Sequence, residues 1–353
     1  MENWDIEKLK SCLSTIPASV LVFIAGLLAE KEDGRLLQFL KMLTISMSET
    51  FFKDSCYCNT MDLFLACVAE AWNEQTYEAI LDLCRGFEPF RGTKTPDGLP
   101  LHMSHRAALG LVLIVRKLKV SKLNLSAIII SLPEAKMIAS ECLKGNSTLK
   151  SVKFSYTCLR SEAVKVVSDA CAGMLRLEEV DLSCCHCGDE GLNAIARLIE
   201  HGKCGIKSLQ LASILDVNFL KKEQVQSAKH KLIKQNSLKK YKSFTEFQET
   251  CKCLPSEQAR KALIKAILNE GSEIIDLSLP SCVVGNAINA WLDVFRRNSQ
   301  LQHIKLHLND LNELNETVHD SLIELVKNMP DLEQMSLVVQ DDESHRKDYA
   351  NHH

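Results

Sequence analysis

Between Val120 and Ile214 the apolar residues fall into one phrase that returns four times. It reads: an apolar residue, two variable ones, an apolar residue, one variable, an apolar residue, two variable, then a small or apolar residue. Val120-Leu123-Leu125-Ile128 is followed by Leu149-Val152-Phe154-Thr157, Leu177-Val180-Leu182-Cys185 and Ile206-Leu209-Leu211-Ile214. The first positions lie 29, 28 and 29 residues apart, a regularity that a 46% hydrophobic composition does not produce by accident. Alternate residues of a strand share a face, so the two central apolar residues of each phrase point one way. Helical stretches separate the strands, Glu162 to Met174 and Gly188 to His201. In the second, Leu192, Ile195, Ala196, Leu198 and Ile199 make an apolar stripe. A strand–helix unit this small cannot bury its apolar face alone, which predicts units stacked side by side with parallel strands.

Downstream the phrase degrades at Leu238–Ser243, where Lys239, Lys240 and Lys242 crowd a fifth strand position. It returns at Ile274-Leu277-Leu279-Cys282, Leu301-Ile304-Leu306-Asn309 and Leu332-Met335-Leu337-Gln340, with helices expected over 256–269, 284–297 and 314–327. The 68 residues from Ile206 to Ile274 leave room for one unit with a long insertion, giving about eight units over 101–340. The polar residues 341–353 read as a disordered tail. Residues 1–100 read as an all-α domain: a short helix over Asp5–Leu13, a core helix opened by Pro17, and a third over Arg35–Leu43. Irregular chain follows from Ser48 to Thr60, then one long helix from Met61 to about Arg85 capped by Thr60, and a Gly/Pro loop over 86–100.

Composition narrows the class. A net charge of −3 on 353 residues argues against a general nucleic-acid binder, and 15 cysteines scattered through helices and strands argue for reduced thiols in a cytoplasmic chain. The apolar run Ile16–Ala29 is preceded by acidic Glu2, Asp5 and Glu7. It is also too short to span a bilayer, so it reads as a core helix, with no membrane partner.

The 28–29-residue phrase resembles the leucine-rich repeat. With a full helix in each unit it resembles the ribonuclease-inhibitor type, which also forms the C-terminal sensor of NOD-like (NACHT–leucine-rich-repeat) receptors. The run Val180-Asp181-Leu182-Ser183-Cys184-Cys185-His186-Cys187-Gly188-Asp189-Glu190-Gly191-Leu192 looks like that family's strand-to-helix turn, with Gly188 as turn residue and Asp189 as helix N-cap. Val20-Leu21-Val22-Phe23-Ile24-Ala25-Gly26-Leu27-Leu28 and Asp62-Leu63-Phe64-Leu65-Ala66-Cys67-Val68-Ala69-Glu70-Ala71 are similar to the helical domain that precedes the repeats. The resemblance covers most of residues 16–340. It implies an α/β solenoid, a horseshoe whose parallel strands line the concave face, after an all-α helical domain. It also implies a non-enzymatic recognition or regulatory role in innate immunity, with full-length NACHT relatives among the partners. The alternative is an inhibitor or scaffold that holds an enzyme on the concave face, as ribonuclease-inhibitor-type solenoids do.

No Gly-x-x-x-x-Gly-Lys-Ser/Thr loop is present, so the family's nucleotide chemistry is not carried over and no cofactor is expected. Cys184-Cys185-His186-Cys187 has the residue types of a zinc half-site. Ligands with no gap cannot easily converge on one tetrahedron, however, and Cys185 fills a position that points into the core, so no metal is assigned. No catalytic residues are assigned either. The lysines between Lys221 and Lys242 form a cationic run opposed only by Glu223; it reads as a solvated face, the alternative being a dock for an acidic protein surface or nucleic acid. A protein partner is expected on the strand face, through a row of Asn124, Lys153, Asp181 and Gln210, with Asp276, Lys305 and Ser336 further along. A second row is Lys122, Ser151, Glu179 and Ser208; a third is Ser126, Ser155, Ser183 and Ala212. Tyr156 is the aromatic anchor at a strand end. Lys153 is expected to pair with Asp181 on the neighbouring strand, and the residues expected to bind are Lys122, Asn124, Lys153, Tyr156, Glu179, Asp181, Gln210 and Lys305.

Overall fold

The computed structural model describes residues 17–31, 34–50, 57–85, 101–126, 128–155, 157, 159–183, 185–201, 205–211, 255–269, 272–279, 288–298, 300–308, 316–329 and 331–339. The helix expected over Asp5–Leu13, the loop 86–100, the lysine run 221–242 and the tail 341–353 lie outside them.

Four helices open the described chain: α1 (Ala18–Ala29), α2 (Arg35–Thr50), α3 (Tyr57–Ala71) and α4 (Tyr77–Arg85). Pro17 sits at the N-cap of α1, as expected for a residue without an amide proton to satisfy. Two expectations are corrected. Residues 48–50 and 57–60 are helical rather than irregular, and the long helix expected over 61–85 is two helices. Asn73 makes the break: its Oδ1 accepts the N–H groups of Gln75 and Thr76 at 2.9 Å, and Thr76 Oγ1 accepts from Asn73 N at 3.2 Å. This reciprocal cap starts α4 afresh, while the Thr76 hydroxyl donates back to the carbonyl of Ala71 at the end of α3, 2.5 Å away.

Strand β1 (Leu101–His102) leads into α5 (His105–Lys117), capped by Ser104, whose Oγ accepts Ala107 N at 3.2 Å. Ser104 N in turn donates to Asp62 Oδ1 at 2.7 Å, locking the start of α5 to α3. Gly110 lies against Leu65: a Cβ there would stand 1.9 Å from the Leu65 carbonyl oxygen, so only glycine permits this helix approach. The chain continues as β2 (Lys122–Asn124), β3 (Ile128–Ile129), α6 (Leu132–Ile138) running into a π turn (Ala139–Leu143), β4 (Ser151–Lys153), α7 (Ser161–Cys171) and β5 (Glu179–Asp181). It ends as α8 (Gly188–His201), β6 (Ser208–Gln210), α9 (Glu257–Ile267), β7 (Asp276–Leu279), α10 (Ile288–Arg297), β8 (His303–Leu308), α11 (Glu316–Asn328) and β9 (Gln334–Val339).

The fold is α/β. Seven strands form one open, wholly parallel sheet in the order β2-β4-β5-β6-β7-β8-β9, and β1 pairs in parallel with β3. From β4 onward each strand neighbours the next one in the chain, and register puts Leu123, Val152, Val180, Leu209, Leu277, Ile304 and Met335 in a single row. The first six of these are almost fully buried, and they join the inner faces of the helices in one contiguous core that also takes in α1–α5. Because β6 pairs directly with β7, no place is left between them for the strand expected at 238–243, a segment outside the described residues. Among the described residues the sheet holds seven strands, and residues 212–254, which lie outside them, separate β6 from α9.

Neighbouring helices are also tied by ion pairs at nearly the unit spacing: Arg116–Glu141 (3.0 Å), Lys136–Glu162 (3.0 Å), Arg197–Asp169 (3.0 Å) and Arg296–Glu324 (3.3 Å). Exposed pairs of this kind contribute about 0–1 kcal/mol each, so they trim register that burial has already set. Replacing Gly110 by Ala should lower unfolding free energy toward the upper end of about 1–3 kcal/mol in urea titrations. Gly173→Ala is the matched control: its new Cβ meets nothing nearer than 3.8 Å, so a loss as large there would contradict the packing argument.

Candidate functional site

Residues flanking the buried row point to the opposite face of the sheet, where they are polar and mostly half-exposed. They form two registered rows. One is Lys122, Ser151, Glu179, Ser208, Asp276, His303 and Gln334; the other is Asn124, Lys153, Asp181, Gln210, Ser278, Lys305 and Ser336. Seven of the eight residues expected to bind a partner, Lys122, Asn124, Lys153, Glu179, Asp181, Gln210 and Lys305, thus share one surface. Tyr156, like Ala212, lies outside the described residues.

The face corrects the sequence reading in detail. Asp276 is not in the row of Lys153 and Asp181; it pairs with Ser208 in the other row, and Ser278 takes its place beside Gln210 and Lys305. Lys153 is level with Asp181, yet its ammonium lies 2.5 Å from Glu179 Oε1, because a four-carbon stem reaches the diagonal position. Asp181 instead accepts the amide of Ser183 at 2.9 Å, and Asn124 does the same for Ser126 at 2.9 Å, so both side chains turn the chain at the strand end. Gly188, with φ +50°, is the turn residue expected. Asp189, however, is inside α8, and its Oδ1 accepts Ser256 N at 2.6 Å across to the start of α9.

Two small networks occupy the middle of the face. Ser151 Oγ donates to Glu179 Oε2 at 2.6 Å, completing the Lys153 contact. Burial raises the Glu179 pKa, but the bonds from Lys153 and Ser151, with the charges of Lys153 and Lys122, outweigh it and leave the carboxyl below its ordinary value. Next to it, Ser208 Oγ donates to Asp276 Oδ2 at 2.9 Å and receives Gln210 Nε2 at 3.3 Å. On β8, His303 Nε2 stands 3.4 Å from Glu333. Ser278 is 1% exposed, and its hydroxyl has no hydrogen-bond partner. His303, Ser278 and Gln334 were missed by the sequence reading, although carrying the phase of the first four phrases onto the later strands finds them.

Other reactive groups sit apart from this face. Burial pushes the thiols of Cys67, Cys84 and Cys142 up to about 12, keeping them protonated, the opposite of what a nucleophile needs. Cys185 Sγ donates to the Phe154 carbonyl at 3.3 Å and packs on the core, at the position shared with Ile128 and Thr157. Cys184 lies outside the described residues, and among those described no group of three His, Cys, Asp or Glu side chains could hold a metal. Glu134 gathers Ser131 and, at 3.4 Å, His105 Nδ1, but the serine bonds the carboxylate rather than the imidazole, which fastens a helix start and does not activate a hydroxyl. Among the described residues no helix is long and apolar enough to cross a membrane.

No family model matches the chain, and no curated protein matches it in sequence.

Because the folded Glu179 carboxyl titrates below its free value, its bonds stabilise the fold fully above the ordinary glutamate range, near 4.5. That stability is lost as pH falls through the lower folded value. Denaturation midpoints of the parent and of Glu179→Gln, taken from pH 7 to 3, should converge on the acid side; a constant offset at every pH would contradict the pairing.

Proposed function

We propose that the chain is a non-enzymatic protein-recognition module: a leucine-rich-repeat solenoid after a helical domain over 1–100, working in the cytoplasm, with the sheet face as its binding surface. The observation that carries the reading is the pair of registered polar rows across seven parallel strands, set on a buried row that leaves them little freedom to move. Such a face offers a partner donors and acceptors at a fixed spacing of about 4.8 Å per strand. Its charges are mixed, with Lys122, Lys153, His303 and Lys305 against Glu179, Asp181 and Asp276, which suits a folded protein surface better than a polyanion. The 28–29-residue period, the Gly188 turn and the helical segment ahead of the sheet support kinship with the sensing half of NOD-like receptors, without their nucleotide chemistry.

The test is affinity capture from source cytosol, comparing the parent with a face variant and a helix-side variant. Lys122→Glu, Gln210→Ala and Lys305→Glu together should abolish recovery of a stoichiometric protein partner. Lys136→Glu with Lys165→Glu, on the helices, should leave recovery within about twofold. A partner that survives the face variant and is lost with the helix variant would overturn the assignment of the surface. Recovery of a full-length NACHT protein would support the receptor kinship, and a basic enzyme held through the same residues would favour the inhibitor alternative.

A further inference from the structure

The two ends of the sheet are finished differently. At the β2 end, α1–α5 belong to the same core as the strands, and Leu123 is fully buried. At the β9 end the core stays open. Met335, in the row whose other six members are almost fully buried, is only half-buried. So is Leu332, as is its equivalent Val120 at the β2 end, while Leu149, Leu177, Ile274 and Leu301 between them are completely covered. On α11, Ile323 and Val326 are 42% and 51% exposed, three residues apart on one helix face. Strand β9 is the sheet edge: six residues with neither a charge nor a proline to discourage pairing. A stacked array normally ends in a unit with a polar outer face, whereas on α11 Ile323 and Val326 interrupt the exposed Asp320, Glu324, Lys327 and Asn328.

We propose that this end is a self-association surface, whose occupant is the same end of a second copy of this chain. A two-fold axis would set the β9 edges antiparallel, each supplying the amide and carbonyl groups that the other lacks, and would lay α11 against its counterpart through Ile323 and Val326. Charge favours that pairing. Asp320 lies one turn before Ile323 and Lys327 one turn after it, both exposed on the same stripe, so antiparallel helices bring each lysine to the other copy's aspartate. A six-residue strand and a 13-residue helix are each about 20 Å long, which puts the buried area at the small end of stable interfaces and makes the association concentration-dependent. The inference is independent of any partner on the sheet face.

Sedimentation equilibrium of the 353-residue chain over about a hundredfold range of micromolar concentration tests it. The expected result is a mass rising from 39.6 kDa toward twice that value, with amides of β9 gaining protection from hydrogen exchange as the dimer fills. Ile323→Lys with Val326→Lys should remove the dimer at every concentration while leaving the far-ultraviolet spectrum and melting temperature unchanged. If that variant does not fold, the charges decide: Asp320→Lys should weaken the dimer at least tenfold, and adding Lys327→Asp should restore it. A monomer throughout, growth beyond the dimer, or a dimer indifferent to α11 and lost with Phe23→Lys on the exposed face of α1 would overturn the proposal.

Discussion

Burial of one side chain per strand by its neighbours is the constraint on which the molecule depends. Val152 is flanked in register by Leu123 and Val180 and covered by the inner faces of the helices, and the same holds along the row to Ile304. Burying such a side chain is worth about 1.5–3 kcal/mol, more than any surface ion pair in the structure, so burial sets the register and the charges follow it. A slip of one residue would turn Val152 outward and Lys153 into the core, a cost no other contact here could offset. Polar residues on the opposite face inherit their alignment from this row, which is how an ordered polar surface arises without any interaction dedicated to ordering it.

Capping contacts pass the same order to the helices. Asp62 of α3 holds the amide of Ser104 at the start of α5, and Asp189 of α8 holds that of Ser256 at the start of α9, so an acidic side chain on one helix fastens the start of a later one. In the turn before β4, Asn146 accepts from the amides of Thr148 and Leu149 and donates to the Cys142 carbonyl, while the Thr148 hydroxyl donates to Val120 one unit earlier. Successive units are thus stitched at the turns as well as packed in the core. Asp169, drawn upward by burial but held lower overall by Lys165 and Arg197, shows the same stitching on the helix side.

How much of this could be read from the chain follows from what each feature depends on. Strands were legible because the apolar phrase is strict, and all seven expected from clear phrases are present. The strand expected at 238–243 rested on spacing alone, and spacing cannot tell an added unit from an insertion inside one. The break at Trp72–Thr76 was missed because apolar periodicity runs through it; Asn73 and Thr76, three apart, were the available signal. Asp276 directly precedes Leu277 as Glu179 precedes Val180, so keeping phase with Leu277 and Leu279 puts it in the other row, and the diagonal reach of Lys153 is a matter of side-chain length that register does not reveal. Inter-helix ion pairs follow nearly the same 28-residue period as the apolar residues and were open to the same search.

Pairing of β6 with β7 across the 43 residues from 212 to 254 is where stacking by buried side chains meets its hardest case. Ser208→Cys with Asp276→Cys places two thiols on adjacent strands, about 4.8 Å apart along the sheet and within the span a disulfide accepts. Mild oxidation followed by peptide mapping should return a 208–276 bridge in high yield, and none for Ser151→Cys with Asp276→Cys, three strands apart. Absence of the 208–276 bridge, or equal yield from both pairs, would contradict the continuous buried row.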